Sequence, residues 1–190
     1  MAEISDNILI TRAQNGDSDA MANLYRRHVG SITRYIAYRV SDQAVIEDLT
    51  AEVFLRMVEG LPNYEITGAP FEAWLYRIAA ARIATFYRKR ERRPEEALHE
   101  NLQSGQTAPE QLLQNTEELD DLREALNQLN DEQQTILILR FVERKSHEEV
   151  ASVLGKSERA VATAQHRALK KLARLLGTTK TERHYIRGKQ

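Results

Sequence analysis

Cysteine is absent from the 190 residues of this chain, and its absence excludes two classes of site. Without thiols the protein can form neither a disulfide framework nor a thiolate zinc centre, which favours a reducing compartment. No apolar run approaches the roughly 20 residues that a membrane-spanning helix requires. The first residues also lack the basic start and apolar block of a signal peptide. We therefore expect a cytoplasmic protein without membrane insertion.

The alternating polar and apolar pattern of a half-buried strand is missing as well. Apolar residues instead recur at helical spacing in successive segments separated by short polar stretches. This spacing predicts helices over residues 4–14, 18–40, 43–60, 71–92 and 117–129, followed by another that starts at 130–131. The core candidates of that last helix are Ile136, Leu137, Leu139 and Phe141. Helices joined by short loops predict an all-α fold.

A strong net charge is the third thing that the chain lacks, because its formal total is only −1. The charges are nevertheless arranged in blocks. Residues 82–93 are strongly basic, residues 94–121 contain acids but no Lys or Arg, and the chain becomes basic again from Arg159. Basic surfaces of this kind raise the local affinity for phosphate and make binding sensitive to salt.

The composition of the acidic stretch divides the chain into two helical domains joined by a flexible acidic linker. Residues 94–118 are rich in Glu, Gln, Asn and Ser and poor in apolar side chains, as in a linker. The predicted domains are therefore residues 1–93 and residues 119–177. The tail, residues 178–190, has little to bury and is expected to be mobile.

Residues 146–172 have the pattern of a helix-turn-helix. Ser146 and Glu149 form a predicted capping box at the start of one helix, and Ser157 can cap the next. Gly155 stands between them, where glycine allows a sharp turn. A small residue, Ala151, precedes this glycine and Val161 follows it, which suits two closely crossing helices.

The outward side of the second helix carries groups that can contact phosphates and base edges. The predicted DNA-binding residues are Ser157, Arg159, Thr163, His166, Arg167 and Lys170. An ordinary helical hairpin with a solvated basic face would have the same pattern, so this motif alone leaves both interpretations open.

Four stretches, taken in order, resemble bacterial RNA polymerase sigma factors of the extracytoplasmic-function class. NLYRRHVGSITRYIAYRV (23–40) and IEDLTAEVFLRMVEGLP (46–62) are similar to the start of the promoter-opening domain and to its polymerase-docking helix. FEAWLYRIAAARIATFYRKRER (71–92) resembles the helix that reads and opens the −10 element. Residues 126–172 resemble the domain that binds the −35 element.

The resemblance implies a polymerase-docking surface and a loop that recognises bases. The docking residues would be exposed side chains of the 43–60 helix, namely Glu47, Asp48, Glu52 and Arg56. An alternative is a solvated helix face on which Glu52 pairs with Arg56 at i, i+4. The loop 61–70 would hold a flipped base, with Asn63, Tyr64, Glu65 and Thr67 as the available groups. A plain surface loop has the same composition.

The end of the 71–92 helix combines cations with an aromatic ring, which suits a melted strand. The candidate −10 contacts there are Tyr87, Arg88, Lys89 and Arg90. A basic helix end favoured by the macrodipole is the alternative interpretation. Trp74 is predicted to be a core residue, because it shares helical spacing with apolar neighbours.

This sequence departs from the family pattern in both DNA-contacting helices. Ala81 and Thr85 stand where the family often has Asn and Asp. Ala160, Ala162 and Ala164 replace a more common Thr and two commonly basic residues. Fewer phosphate contacts predict weaker −35 binding with a flatter salt dependence.

The implied partners are core RNA polymerase, through its β′ clamp coiled coil and its β flap, promoter DNA and an anti-sigma factor. No metal, cofactor or catalytic site is expected, since the five histidines do not cluster and Glu96–His99 has a di-iron spacing only once. The main alternative is a conventional helix-turn-helix regulator that binds duplex DNA as a dimer.

Overall fold

In the computed structural model, the described backbone comprises residues 4–92 and 110–187, and the described side chains are those of residues 4–92 and 119–177. Within these ranges the chain is helical and contains no strand. Arg93, the Glu96–His99 spacing and residues 94–109 of the predicted linker lie outside the described residues. Apart from Ser152–Gly155, the helices form two compact units, one before and one after that gap.

Four helices build the N-terminal unit: α1 (Asp6–Gln14), α2 (Ser18–Ala37), α3 (Gln43–Gly60) and α4 (Phe71–Arg92). Two aspartates determine where helices begin. Asp17 accepts hydrogen bonds from the amides of Asp19 and Ala20, and Asp42 caps α3 in the same way. Such caps satisfy amides that have no partner within the helix, typically for about 1 kcal/mol each.

The core of this unit consists of apolar side chains from all four helices. Its fully buried members include Leu9, Ile10, Leu24, Ile32, Val53, Met57, Leu75 and Ile83. α1 is fixed to α2 by a polar cluster as well. Asp6 accepts a hydrogen bond from Arg27 and lies 3.0 Å from Nε2 of the buried His28. Burial raises the pKa of Asp6, but the bonds from His28 and Arg27 outweigh burial and lower the pKa overall.

The C-terminal unit contains α5 (Glu110–Asn127), α6 (Asp131–Leu137), α7 (His147–Leu154) and α8 (Glu158–Arg187). α5 begins seven residues before the predicted Glu117, and α8 continues to Arg187, into the predicted tail. Asn130 caps α6 in a capping box with Gln133. The mobility of the linker and the tail stays a prediction.

A π-helix, Ile138–Val142, extends α6 and corrects one expectation about the core. Phe141 belongs by sequence to the apolar face that includes Ile136, Leu137 and Leu139, yet it is 56% exposed while those three are buried. A π turn contains more residues than an α turn, so it shifts the helical phase. Phe141 therefore leaves the buried face that 3.6-residue spacing assigned to it.

Candidate nucleic-acid and polymerase interfaces

The predicted helix-turn-helix is present, with α7 and α8 as its helices. The Ser146 hydroxyl accepts from the Glu149 amide at 3.1 Å, and the Glu149 carboxylate accepts from the Ser146 amide at 2.6 Å. The Ser146 bonds lower the pKa of Glu149. Gly155 has φ +63°, a conformation that favours glycine, and Ser157 accepts from the amide of Ala160 at 3.2 Å. The capping box and the turn are thus confirmed.

The side chains predicted to face DNA are on the open side of α8. Ser157, Arg159, Thr163, His166, Arg167 and Lys170 are all exposed. The opposite side of the helix is anchored, because Val161 and Ala168 are fully buried. This arrangement brings the predicted cations to one accessible face, while their contact with DNA stays a prediction.

A polar node fixes α8 against the two elements before it. The Gln165 side-chain oxygen accepts from Arg140 Nε at 3.1 Å and lies 3.0 Å from His147 Nε2. Arg140 also donates to the carbonyl of Lys145, next to Arg144, whose φ of +54° is unusual for a side-chain-bearing residue. The π-helix places Arg140 at this node, so the orientation of α8 depends on groups that sequence spacing did not identify.

The alanine-rich edge of α8 faces a shallow cleft beside the start of α6. Ala160 and Ala164 line this cleft, together with Asn130 and Glu132 from the other side. Glu132 pairs with Lys156 at 2.9 Å, so one cation next to the turn is already matched by an acid. Arg159 and Arg167 also line this cleft, and the weaker −35 binding expected from the alanines stays a prediction.

In the N-terminal unit, an aromatic cluster forms the base of the loop 61–70. The centroid of the Tyr64 ring lies 4.8 Å from that of Trp74 and 5.3 Å from that of Phe71. Tyr64 is half-buried, and burial raises the pKa of its phenol above the ordinary 10.0, although nearby Arg77 opposes this. Such clusters add about 0.5–1.5 kcal/mol per pair beyond the area that they bury.

The remaining loop residues predicted to meet a base are open to solvent. Asn63, Glu65 and Thr67 are exposed, and Gly68 turns the backbone at φ +85°. The loop therefore combines one anchored ring with three accessible polar side chains.

Trp74 is not the core residue that its spacing predicts. Its side chain is half-buried and packs on Tyr64 and on the end of α3. A Cβ built at Gly60 would approach the indole to 2.9 Å, so the missing side chain of Gly60 makes room for this ring. Trp74 therefore contacts both the end of α3 and Tyr64 of the loop, and it supports the loop at its first residues.

The candidate residues at the basic end of α4 differ in their exposure to solvent. Arg88, Lys89 and Arg90 are exposed, as expected of phosphate contacts. Tyr87 is half-buried, and its hydroxyl donates to the carbonyl of Arg39, so the ring is anchored between α4 and the end of α2. Its predicted role as a stacking platform stays a prediction, now with the hydroxyl engaged.

The predicted docking residues Glu47, Asp48, Glu52 and Arg56 are exposed on α3. The alternative Glu52–Arg56 pair is absent. Arg56 instead bonds to Glu59 at 3.1 Å, and Glu52 approaches Arg82 of α4 at 3.9 Å.

Two exposed apolar residues, which sequence spacing did not identify, lie on the same face of α3. Leu55 is 58% and Val58 47% exposed, although apolar residues of α3 such as Val53 are buried. They lie outside the buried helical face, and that phase mismatch was the available signal. The face is therefore an apolar centre bordered by acids.

Among the residues that the structure describes, no group of three or more His, Asp or Glu side chains could hold a metal ion. Within the same residues, no helix has the length and apolar character needed to span a membrane.

Comparison with protein families gives two matches that follow the two units. Residues 24–93 match the family described as Sigma-70 region 2, and residues 119–172 match Sigma-70, region 4. The first match includes α3, the loop and α4, and the second includes the helix-turn-helix.

Several curated proteins are similar over most of the chain. The ECF RNA polymerase sigma factor BldN of Streptomyces coelicolor is 38% identical over 88% of this chain, which spans 64% of BldN. The ECF RNA polymerase sigma factor SigD of Mycobacterium tuberculosis is 35% identical over 86% of this chain and 80% of its own length. The sigma factor YlaC of Bacillus subtilis is 30% identical over 86% of this chain and 96% of its own.

Two solved structures share the fold. CnrH, in complex with the cytosolic domain of CnrY, matches 91% of this chain and 97% of its own with a TM-score of 0.66 and 24% identity. The sigma factor RpoE of Bartonella quintana, in complex with the anti-sigma factor NepR, matches 82% of this chain and 96% of its own, with a TM-score of 0.56 and 22% identity.

Proposed function

The chain belongs to the extracytoplasmic-function class of RNA polymerase sigma factors, and we propose how its residues divide the work of initiation. Sigma domains of these types bind core RNA polymerase and promoter DNA. One observation carries the proposal: a region 2 match and a region 4 match occur in one chain, each with exposed groups suited to its partner. A dimeric helix-turn-helix regulator is not favoured, because it would not require the region 2 unit.

The exposed face of α3 is the proposed docking site for core polymerase. Its apolar centre, Leu55 and Val58, supplies the area removed from water, and its border of Glu47, Asp48 and Glu52 supplies charge complementarity. Interfaces combine an apolar centre with a charged rim in this way, and rim charges chiefly set association rate and register. The β′ clamp coiled coil is the proposed partner of this face.

The face of α8 is the proposed −35 reader. Arg159, Arg167 and Lys170 supply charge for phosphates and base edges, and Thr163 adds a smaller polar group. The β flap is the proposed polymerase contact of this unit. In the N-terminal unit, the loop 61–70 receives an unpaired −10 base, and Arg88, Lys89 and Arg90 follow the backbone of the melted strand.

Catalysis belongs to the core enzyme in this proposal, and the protein works in the cytoplasm, where polymerase and DNA are present. An anti-sigma factor is the proposed inhibitory partner. The acidic residues 94–118 link the two promoter-binding units.

In vitro transcription with bacterial core polymerase on a genomic fragment library tests the proposal. The expected result is a set of start sites that depend on the protein and share −35 and −10 sequences. Tight binding to duplex DNA by the protein alone, without any such start site, would favour the regulator instead.

Charge reversal on α3 tests the docking face separately. Glu52→Arg should weaken binding to core polymerase about tenfold, as expected for a rim charge placed against a complementary surface. Glu124→Arg, which reverses an exposed charge within α5, is the matched control. Equal effects of the two variants would show that α3 is not the docking face.

A further inference from the structure

A hydrogen-bonded clasp joins the end of α1 to the start of the loop 61–70. The Gln14 side-chain amide donates to the Leu61 carbonyl at 2.9 Å and to the Tyr64 carbonyl at 2.8 Å. These partners lie 47 and 50 residues away along the chain. The clasp therefore spans the short 3₁₀ turn, Leu61–Asn63, that leads from α3 into the loop.

The chemistry of this clasp requires an amide at position 14. A primary amide nitrogen carries two hydrogens, so one Nε2 can serve two carbonyls. Both acceptors are backbone oxygens, which fixes the nitrogen rather than the oxygen of Gln14 as the atom facing them. A carboxylate at position 14 would place its oxygen against the Leu61 and Tyr64 carbonyl oxygens. It has no hydrogen to donate, so all three atoms would be acceptors.

The bonded carbonyls control the ring that forms the base of the loop. Leu61 is fully buried, and its carbonyl also accepts from the Tyr64 amide at 3.0 Å. Gln14 thus holds both ends of the turn on which Tyr64 is mounted. A shift of this turn would move Tyr64 relative to Trp74 and would change where the exposed Asn63 and Thr67 lie.

The element that supplies the clasp is itself fixed to the domain. Leu9 and Ile10 of α1 are buried, and Asp6 is bonded to Arg27 and His28 of α2. His28 in turn lies 5.6 Å from the ring of Phe71, which packs on Tyr64. α1 therefore supports the loop cluster from both of its ends, although it precedes the residues that match region 2.

We propose that Gln14 is a positioning residue that holds the loop 61–70 in the geometry needed to discriminate the captured −10 base. This inference rests on the proposed role of the loop in reading that base. Gln14 does not touch DNA in this mechanism. It sets the register of Asn63, Tyr64 and Thr67 through the backbone.

The test uses the full chain with core polymerase on promoters that carry each of the four bases at every −10 position. Open-complex formation is measured with the wild type, Gln14→Glu, Gln14→Met and Asn15→Asp. Asn15→Asp is the matched control, because Asn15 is the C-cap of α1 and also donates its side-chain amide, but to the Thr11 carbonyl of its own helix at 2.8 Å. Both acidic variants lose a donating amide and gain one negative charge.

Gln14→Glu is expected to reduce discrimination at the −10 position read by the loop about fivefold, the scale of lost neutral hydrogen bonds. Gln14→Met should lower it less, and Asn15→Asp should leave it unchanged. Discrimination among −35 sequences should not change in any variant. Thermal unfolding of each variant identifies loss of fold, and Gln14→Met remains informative if Gln14→Glu does not fold.

Two outcomes would overturn the inference. The first is equal −10 discrimination by Gln14→Glu and Asn15→Asp. The second is an equal loss on every promoter, which would indicate a general role in folding. Asn63→Ala and Thr67→Ala distinguish the two levels of the proposal. If they alter −10 preference and the Gln14 variants do not, only the clasp is wrong. If they alter nothing, the role of the loop fails and the clasp fails with it.

Discussion

The two surfaces proposed to contact promoter DNA are built in opposite ways. On α8 the candidate residues project from a regular helix whose other side, including Val161 and Ala168, is buried. In the loop 61–70, by contrast, the central candidate Tyr64 is half-buried in a cluster of aromatic rings. One surface consists of charges on a fixed helix, and the other consists of a shaped loop whose position depends on its supports.

The difference teaches which interactions each surface can supply. Charges on a helix face attract phosphates at a distance and lose strength as salt rises. A loop that receives an unpaired base must supply stacking and edge hydrogen bonds, which act only at contact distance. We therefore expect α8 to be sensitive to loss of charge and the loop to be sensitive to small displacements.

The largest expected effect is loss of charge from α8. Replacing Arg159 and Arg167 together with Ala should lower −35-dependent initiation about 100-fold, because each such contact contributes roughly 1–3 kcal/mol. Transcription from promoters with intact and scrambled −35 sequences measures this loss, and its salt dependence should flatten. Arg26→Ala, which removes an exposed arginine of α2, is the charge control. Unchanged −35 dependence would show that the recognition face is assigned wrongly.

Removing the loop ring should have the next largest effect. Tyr64→Ala should lower open-complex formation about tenfold, the scale of one lost stacking contact, without affecting −35 discrimination. Permanganate reactivity of unpaired thymines measures opening directly. Tyr38→Ala removes a tyrosine at the end of α2, away from the loop sequence, and serves as the control. If Tyr64→Ala lowered −35 discrimination as much as it lowers open-complex formation, the two surfaces would not differ in the way proposed.

A smaller effect should come from crowding the ring beneath the loop. Gly60→Ala places a methyl group 2.9 Å from the indole of Trp74, so the ring must shift. We expect a net destabilisation of about 1 kcal/mol, because the strain exceeds the helical preference of Ala over Gly. The chain contains a single tryptophan, so its emission spectrum reports the shift directly. Gly177→Ala, where an added Cβ meets no atom within 4 Å, is the control. An unchanged emission spectrum would indicate that the Trp74 indole does not pack closely against residue 60.

The smallest expected effect is on the pH dependence of stability, through the carboxylate of Asp6. Because the pKa of Asp6 is lowered in the folded state, its stabilising contribution is complete above the ordinary value of 3.8 and is lost as pH falls through the lower folded value. Asp6→Asn should therefore destabilise the protein near neutral pH, with a difference from the wild type that narrows below pH about 4. Urea unfolding at several pH values measures this difference, with the exposed Asp19→Asn as the control. A difference that does not change with pH would mean that the Asp6 charge is not involved.

Sequence periodicity and capping predicted the helices closely where local interactions dominate. The start of α2 at Asp17 and the turn at Gly155 follow from residues within one helical turn of each other. The exposure of Arg159 and Arg167 also follows from local spacing, because residues on one side of a regular helix share their environment.

Prediction failed where distant contacts or an irregular turn decide the outcome. Phe141 left the core because a π turn changes the helical phase. The alternative Glu52–Arg56 pair is likewise not formed, because Arg56 pairs with Glu59 and Glu52 approaches Arg82 of another helix. Trp74 became a support for the loop because Gly60 leaves space for its ring.

The amino-acid sequence by itself determined the all-α class, the caps and turns, the alternation of basic and acidic blocks, and the face of α8 offered to solvent. These features depend on neighbours within about one helical turn. Only the tertiary structure decided how the loop 61–70 is held. Gln14 and its carbonyl partners are brought together by packing of α1 against the domain, across 47 and 50 residues of chain. No local pattern encodes such a contact, because its geometry exists only after the helices have packed.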